Sequence, residues 1–178
     1  LRRMPDAQLK VIGSGKVYDR NAVLGKYGLA HEDYEARFMS YLTDGDGKLL
    51  PSVEFLGLMG TEKFEVMKRA TVGVVNPTAL SENCPGCALE FQACGVPVVS
   101  GARGGLWDTV LHRQTGVLVG SVSGLGNAIV TLLSDKSQRA KMSYRSPGFV
   151  REKFNYAKVC KEWFKVLEVI ELGGNIEA

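Results

Sequence analysis

The chain has 178 residues, of which 45% are hydrophobic and 23% charged, and it carries a formal net charge of +3. That size buries roughly 70% of the unfolded surface, enough for one domain with its own core, and the composition is that of a soluble globular protein. So small a charge, dispersed rather than gathered in runs, argues against a nucleic-acid partner; no apolar stretch approaches the ~18 residues of a membrane span, and the few cysteines do not make a disulfide scaffold. A reducing, cytoplasmic setting is expected. The chain opens on Leu1-Arg2-Arg3-Met4-Pro5 without a signal peptide and reads as a piece of a longer protein.

In chain order, residues 8–12 alternate partly and run into Gly13-Ser14-Gly15, which predicts a strand and a tight turn. Residues 16–29 carry Val17, Val23, Leu24 and Tyr27 at roughly helical spacing, and residues 31–42 read as further helix. A polar, Gly-rich loop follows at residues 43–48, then a strand at 52–56 closed by Gly57. Thr61 is placed to cap a helix running to Arg69, with Phe64 and Met67 on one face. Residues 71–75 are a β-branched run, a short buried strand ending at Asn76-Pro77.

Residues 87–94 predict a helix with Gly95 as its stop, and 96–99 a strand. A short helix at 106–111 and a strand at 116–119 come next, then a helix capped by Ser123 with Leu125, Ile129, Leu132 and Leu133 on one face. Residues 136–145 predict another helix, broken at Pro147-Gly148. The last helix runs from Asn155 to about Ile170, its apolar face formed by Tyr156, Val159, Cys160, Trp163, Phe164 and Leu167. Trp163 and Phe164 are expected in core or interdomain packing. Short apolar strands alternating with helices give an α/β class: a Rossmann-like parallel sheet with helices on both faces and a helical C-terminus. In such sheets ligands bind beyond the carboxyl ends of the strands, so the loops after Ile12, Leu56, Val75 and Val99 are the ones that matter.

The loop after the third of these strands carries the chemistry. It reads Ser81-Glu82-Asn83-Cys84-Pro85-Gly86-Cys87-Ala88-Leu89-Glu90, two glutamates on either side of a turn that opens a helix. The N–H groups and positive dipole end of a helix N-terminus seat a diphosphate. A carboxylate on that helix can accept two hydrogen bonds from a ribose diol. An acid in the preceding loop stands nearer the reacting sugar.

With these residues the sequence resembles the retaining glycosyltransferases built from two facing Rossmann-like domains (the GT-B fold), in glycosyltransferase family 4, or glycosyl transferases group 1. Their signature is Glu, seven residues, Glu, and a small-residue helix ending in Ala-Cys-Gly-x-Pro-Val-Val, matched by Glu82, Glu90 and the run from Ala93 to Val99. Flanking matches are residues 5–15, Val53-Glu54-Phe55-Leu56-Gly57, Gly104-Gly105 with Asp108 in place of the usual Glu, Thr115-Gly116-Val117-Leu118-Val119, and Phe154-Asn155-Tyr156.

The resemblance implies transfer of a sugar from a nucleotide-diphosphate donor to an acceptor hydroxyl, with no cofactor and no metal. Glu82 is the implied catalytic residue beside the donor sugar, and Glu90 the ligand of the ribose hydroxyls. The backbone of Cys84, Pro85, Gly86, Cys87 and Ala88 faces sugar and diphosphate; Gly13 and Gly15 let the chain approach the nucleotide, and Leu58 and Met59 stand near the base. The chain is then a single nucleotide-sugar-binding domain over residues 1–178, lacking its first strand, an Arg–Lys diphosphate clamp and an upstream acceptor domain. That acceptor domain is its expected partner and the only part expected to touch a membrane, and the chain alone is expected to be inactive.

Two departures from the family stand out: Asn83-Cys84-Pro85-Gly86-Cys87 replaces a Gly-Phe-Gly-Leu stretch, and the segment from His31 to Leu50 is longer than usual. Cys84-Pro85-Gly86-Cys87 is also a C-x-x-C at a helix start, the arrangement of thiol-redox proteins, which gives the rival reading. A non-catalytic nucleotide-binding scaffold is the other. His112 reads as an exposed turn residue, and Arg103 as either a phosphate contact or a solvated loop arginine.

Overall fold

The computed structural model describes residues 3–16, 20–75 and 82–172. The chain falls into two compact units, Leu1–Glu65 and Val66–Ala178.

In the first unit, β1 (Leu9–Ile12) pairs in parallel with β2 (Val53–Gly57), Leu9 beside Val53 and Ile12 beside Gly57, with a register shift between Val11 and Ile12. The one helix here that lies wholly within the unit, among the described residues, is α1 (Glu32–Met39). Glu32, Asp33 and Glu35 in its first turn suit the positive end of the helix dipole. The helix expected over residues 16–29 does not form in its described part: residues 20–30 are turns and isolated bridges, and residues 17–19 lie outside the description.

The reason is local. Gly25 and Gly28 each disfavour a helix by about 1 kcal/mol relative to alanine, and Gly28 sits at φ 71°. The Gly28 N–H donates to Gly25 O (3.0 Å) and the Gly25 N–H to Ala30 O (3.0 Å), so the chain doubles back. Thr61 does not start the next helix. Its carbonyl accepts from the Phe64 N–H (3.1 Å) in a turn, and α2 (Lys63–Arg69) begins two residues later, with Met67 buried.

The second unit holds a parallel sheet in the order β3 (Gly73–Val75), β4 (Val98–Gly101), β5 (Gly116–Val119). All four residues of the central strand are buried. Val98 packs on one face with Ala88, Leu106, Val110 and Leu118, and Val99 on the other with Ala128, Leu132 and Met142. That alternation is the period of two of a strand buried on both sides, each such side chain contributing about 1.5–3 kcal/mol. The strand starts at Val98 rather than Val96 because Pro97 has no N–H to give; its carbonyl accepts from the Gly73 N–H (3.0 Å).

The helices of this unit are α3 (Gly86–Ala93), α4 (Leu106–Thr109), α5 (Val122–Ser134), α6 (Lys136–Lys153) and α7 (Tyr156–Glu171). Helix α3 stops at Gly95 as expected, at φ 75°. The cap of α5 is Ser121, not Ser123: its side chain accepts from the Gly124 N–H (3.2 Å), the third helical position. Helix α6 runs unbroken through Pro147 and Gly148. Proline inside a helix costs about 3 kcal/mol, and here packing offsets it. Met142 and Ser146 are buried, and the Ser146 hydroxyl spans Met142 O (2.7 Å) and Thr115 O (3.4 Å).

Helix α7 begins as expected, Asn155 capping the Lys158 N–H (3.1 Å), yet none of its residues is buried. Trp163 and Phe164, 61% and 64% exposed, are not part of a core within this chain. His112 is exposed, and its Nδ1 accepts from the Leu118 N–H (3.0 Å) at the edge of β5.

Candidate functional site

The residues singled out by sequence fall in both units. In the second unit, residues 76–81 lie outside the description and the loop resumes at Glu82, half-buried. Its carbonyl accepts from the Gly105 N–H (2.6 Å). The Gly104-Gly105 pair explains itself at this point. A Cβ on Gly104 would stand 2.2 Å from Glu82 O, and one on Gly105 only 1.4 Å from Asn83 O. Two residues without side chains let one backbone lie on another, and this fixes the stretch from Glu82 to Asn83.

Cys84 and Cys87 are exposed, while Pro85 between them is buried and serves as the N-cap of α3 (φ −70°, ψ 96°). Among the described residues no side chain caps this helix, and its first turn holds no acidic residue. The Ala88 N–H turns back to Pro85 O (2.9 Å), whereas a Cβ on Gly86 would meet no atom within 4 Å. The end of α3 therefore offers its dipole and first N–H groups beside open space. Glu90, half-buried, lies four residues beyond Gly86 and so on the same helix face, one turn along. Gln92, fully buried, fixes the helix from its other side, its Nε2 donating to Ala88 O (2.8 Å) and Thr109 O (2.7 Å). The fold thus places Glu82, the C-x-x-C turn and Glu90 on one loop-and-helix unit. Arg103 and Asp108 are exposed nearby in sequence, and Asp108 O accepts from Lys153 Nζ (2.9 Å).

In the first unit a cleft of about 360 Å³ opens where β1 and β2 end. Gly13 and Ser14 line it after β1, and Phe55, Gly57 and Leu58 at the end of β2. The remaining wall is Leu24, Tyr27, Gly28 and Leu29, from the segment expected to be helical. Gly13, at φ 138°, donates its N–H to Gly57 O (2.8 Å), and Leu58 is 68% exposed. Gly15 and Met59, expected beside the nucleotide, are not among the lining residues. The Gly15 N–H donates to Gly28 O (3.1 Å), and a Cβ on Gly15 would stand 2.7 Å from Leu24 Cδ2 and 3.0 Å from Ala30 Cα.

Sequence reasoning missed the wall at 24–29 and its anchor. Glu35, 2% exposed, accepts from the Tyr27 N–H (2.8 Å) on Oε1 and from the Leu29 (2.8 Å) and Ala30 (3.4 Å) N–H groups on Oε2. The available signal was the Gly25–Gly28 spacing, which is poor in a helix and apt for a turn. Among the described residues, no group of three His, Cys, Asp or Glu side chains is placed to hold a metal ion. Nor is any described helix long and apolar enough to cross a membrane.

Comparison with known proteins bears on what this geometry serves. A family described as "Glycosyl transferases group 1" matches residues 1–135. A GDP-mannose-dependent monoacylated alpha-(1-6)-phosphatidylinositol monomannoside mannosyltransferase of Corynebacterium glutamicum is 29% identical over 159 residues, 85% of this chain and 36% of that protein. A D-inositol 3-phosphate glycosyltransferase of Xylanimonas cellulosilytica is 47% identical over 58 residues, 32% of this chain and 14% of that protein. The chain therefore spans little more than a third of the first relative and much less of the second.

Among solved structures, sucrose-phosphate synthase of Thermosynechococcus elongatus matches with a TM-score of 0.74 at 26% identity, over 97% of this chain and 40% of its own. Anabaena HepE in complex with UDP-glucose matches with a TM-score of 0.73 at 20% identity, over 92% of this chain and 41% of its own, a likeness of fold.

Proposed function

The chain belongs to the glycosyl transferases group 1 family, and from that premise we propose that it forms the donor-binding part of a retaining glycosyltransferase. The observation that carries the reading is the loop-and-helix unit from Glu82 to Glu90. An uncapped helix end faces open space, with one carboxylate just before it and one a turn inside. The diphosphate of a nucleotide sugar sits at the α3 N-terminus, held by the first N–H groups and the helix dipole. Glu90 accepts from the ribose diol, and Glu82 stands beside the sugar, stabilising charge that develops as the diphosphate departs. The backbone of Cys84, Pro85, Gly86, Cys87 and Ala88 follows the donor.

Two of the similar proteins support the donor class, the Corynebacterium glutamicum enzyme being GDP-mannose-dependent and the Anabaena structure holding UDP-glucose. The acceptor is bound by an upstream domain of the same full-length protein, the part that would meet a membrane if the acceptor is a lipid. The cytoplasm is the compartment that supplies such donors. Calorimetric titration of the chain with GDP, UDP, GDP-mannose and UDP-glucose tests the reading. One base is expected to bind, with Glu90→Ala abolishing the heat. A Glu90→Ala protein that binds as the parent does removes Glu90 from the site, and the same silence from every nucleotide on the full-length protein overturns the donor reading.

A further inference from the structure

The cleft of the first unit has a wall whose construction the donor reading leaves unexplained. Residues 24–30 form a short doubled loop, joined at its ends by a bridge between Leu24 and His31. From α1, Glu35 reaches into this loop and takes N–H bonds from Tyr27, Leu29 and Ala30. The carboxyl lies so close over Gly25 that an added Cβ there would stand 2.3 Å from Oε1. Among the described residues no lysine, arginine or histidine pairs with it. Burying a carboxyl group is costly unless its oxygens are satisfied, and among the described residues the three N–H groups that satisfy it come from one loop. The shape of that loop is therefore what Glu35 maintains.

What the shape presents is specific. Leu24, Tyr27 and Leu29 turn into the cleft, and the Tyr27 ring meets Phe55 edge-on, 5.5 Å between centroids at 65°. At the strand ends the lining is Gly13, Ser14 and Gly57, two of them without side chains, with Phe55 and Leu58 beside them. An apolar, aromatic wall with backbone polar groups at the strand ends suits a flat heterocycle that is stacked on its face and read at its edge. We infer that Glu35 is a positioning residue that sets the wall formed by Tyr27 and Leu29 against the base of the nucleotide, and that this wall selects between purine and pyrimidine. The inference rests on the donor reading and adds to it a selectivity element.

The test is a titration of the chain with GDP and UDP, comparing the parent with Glu35→Gln and Tyr27→Ala. Glu35→Gln keeps the size but turns an NH2 group toward N–H groups that need an acceptor. Tyr27→Ala removes the wall and leaves its anchor. Both are expected to weaken the preferred nucleotide about tenfold and to shrink its advantage over the other. The ratio is the decisive readout: general loosening of the fold weakens both nucleotides alike, whereas a displaced wall changes their order. Parent-like preference in both variants overturns the inference. If Glu90→Ala still abolishes binding in that case, the donor reading stands without it; if the parent and the full-length protein bind neither nucleotide, both fall together.

Discussion

Replacing Gly105 with alanine tests the geometry of the proposed donor site at its tightest point. The new Cβ would lie 1.4 Å from Asn83 O, and carbon–oxygen approaches below 3.0 Å are essentially never seen. Asn83 must therefore retreat by about 1.6 Å, the difference between those two distances. The Gly105 N–H to Glu82 O bond, 2.6 Å, cannot survive that shift. Losing it costs about 1–3 kcal/mol, which lowers the melting temperature of a chain this size by roughly 2–12 °C. The core is untouched, since Leu106 and Val110 keep their packing on Val98.

The functional loss should be far larger than the loss of stability. A displacement on the order of 1 Å at a positioned group costs about 100-fold in rate, and Glu82 and the turn before α3 both move here. Gly105→Ala in the full-length protein is therefore expected to fold, to melt a few degrees lower, and to lose about 100-fold in kcat/KM for sugar transfer. Initial rates with a radiolabelled donor, read beside a thermal melt, measure both. Parent-like transfer by a folded Gly105→Ala protein would show that the backbone of Glu82 and Asn83 does not position the reaction, and the argument from this site would fail.

Other consequences are simpler to check. Cys84 and Cys87 are exposed, so both should react with iodoacetamide, and saturating nucleotide sugar should slow that reaction at least severalfold by mass spectrometry; equal rates with and without donor would move the donor away from the C-x-x-C turn. Ser121→Ala should lower stability by about 1 kcal/mol through loss of the α5 cap, while Ser123→Ala should cost a few tenths at most, as read in urea melts. Leu132→Ala, at a site with no solvent exposure, should cost about 2–5 kcal/mol without altering nucleotide preference.

The parts of the fold legible in the sequence are those where one local rule decides the outcome. β-Branched runs give β3 and β5, Asn155 gives the start of α7, and the glycine after Cys94 gives the end of α3. The paired glutamates were singled out through the family resemblance, in which they stand with the run from Ala93 to Val99 and the flanking matches. What could not be read is settled by distant partners. Apolar spacing predicts a helix through Leu24 and Tyr27, but a carboxyl group several residues further on ties those N–H groups into a loop. Pro147 signals a break, yet the burial of Met142 and Ser146 carries α6 across it. Trp163 and Phe164 have the pattern of a packed face, yet both are largely exposed among the described residues.

One device recurs in both units and explains why glycine, rather than charge, marks the important places. In the second unit the backbone from Glu82 to Asn83 lies directly on Gly104 and Gly105; in the first, the Glu35 carboxyl lies directly on Gly25. In each case a missing side chain lets an oxygen approach within hydrogen-bonding distance of the backbone it fixes. Within each unit taken by itself, the residues proposed to meet a ligand neighbour the fixed group: Cys84 and Pro85 follow Asn83, and Tyr27 and Leu29 lie in the loop that Glu35 holds. Such a site is unevenly sensitive. A change at an exposed residue such as Cys84 or Leu58 removes one contact, while a change at Gly25, Gly104 or Gly105 moves every contact the fixed segment carries. Functional loss should thus be steeper at these glycines than at the residues facing the donor, Glu90 excepted, because Glu90 is held by its helix and not by a glycine.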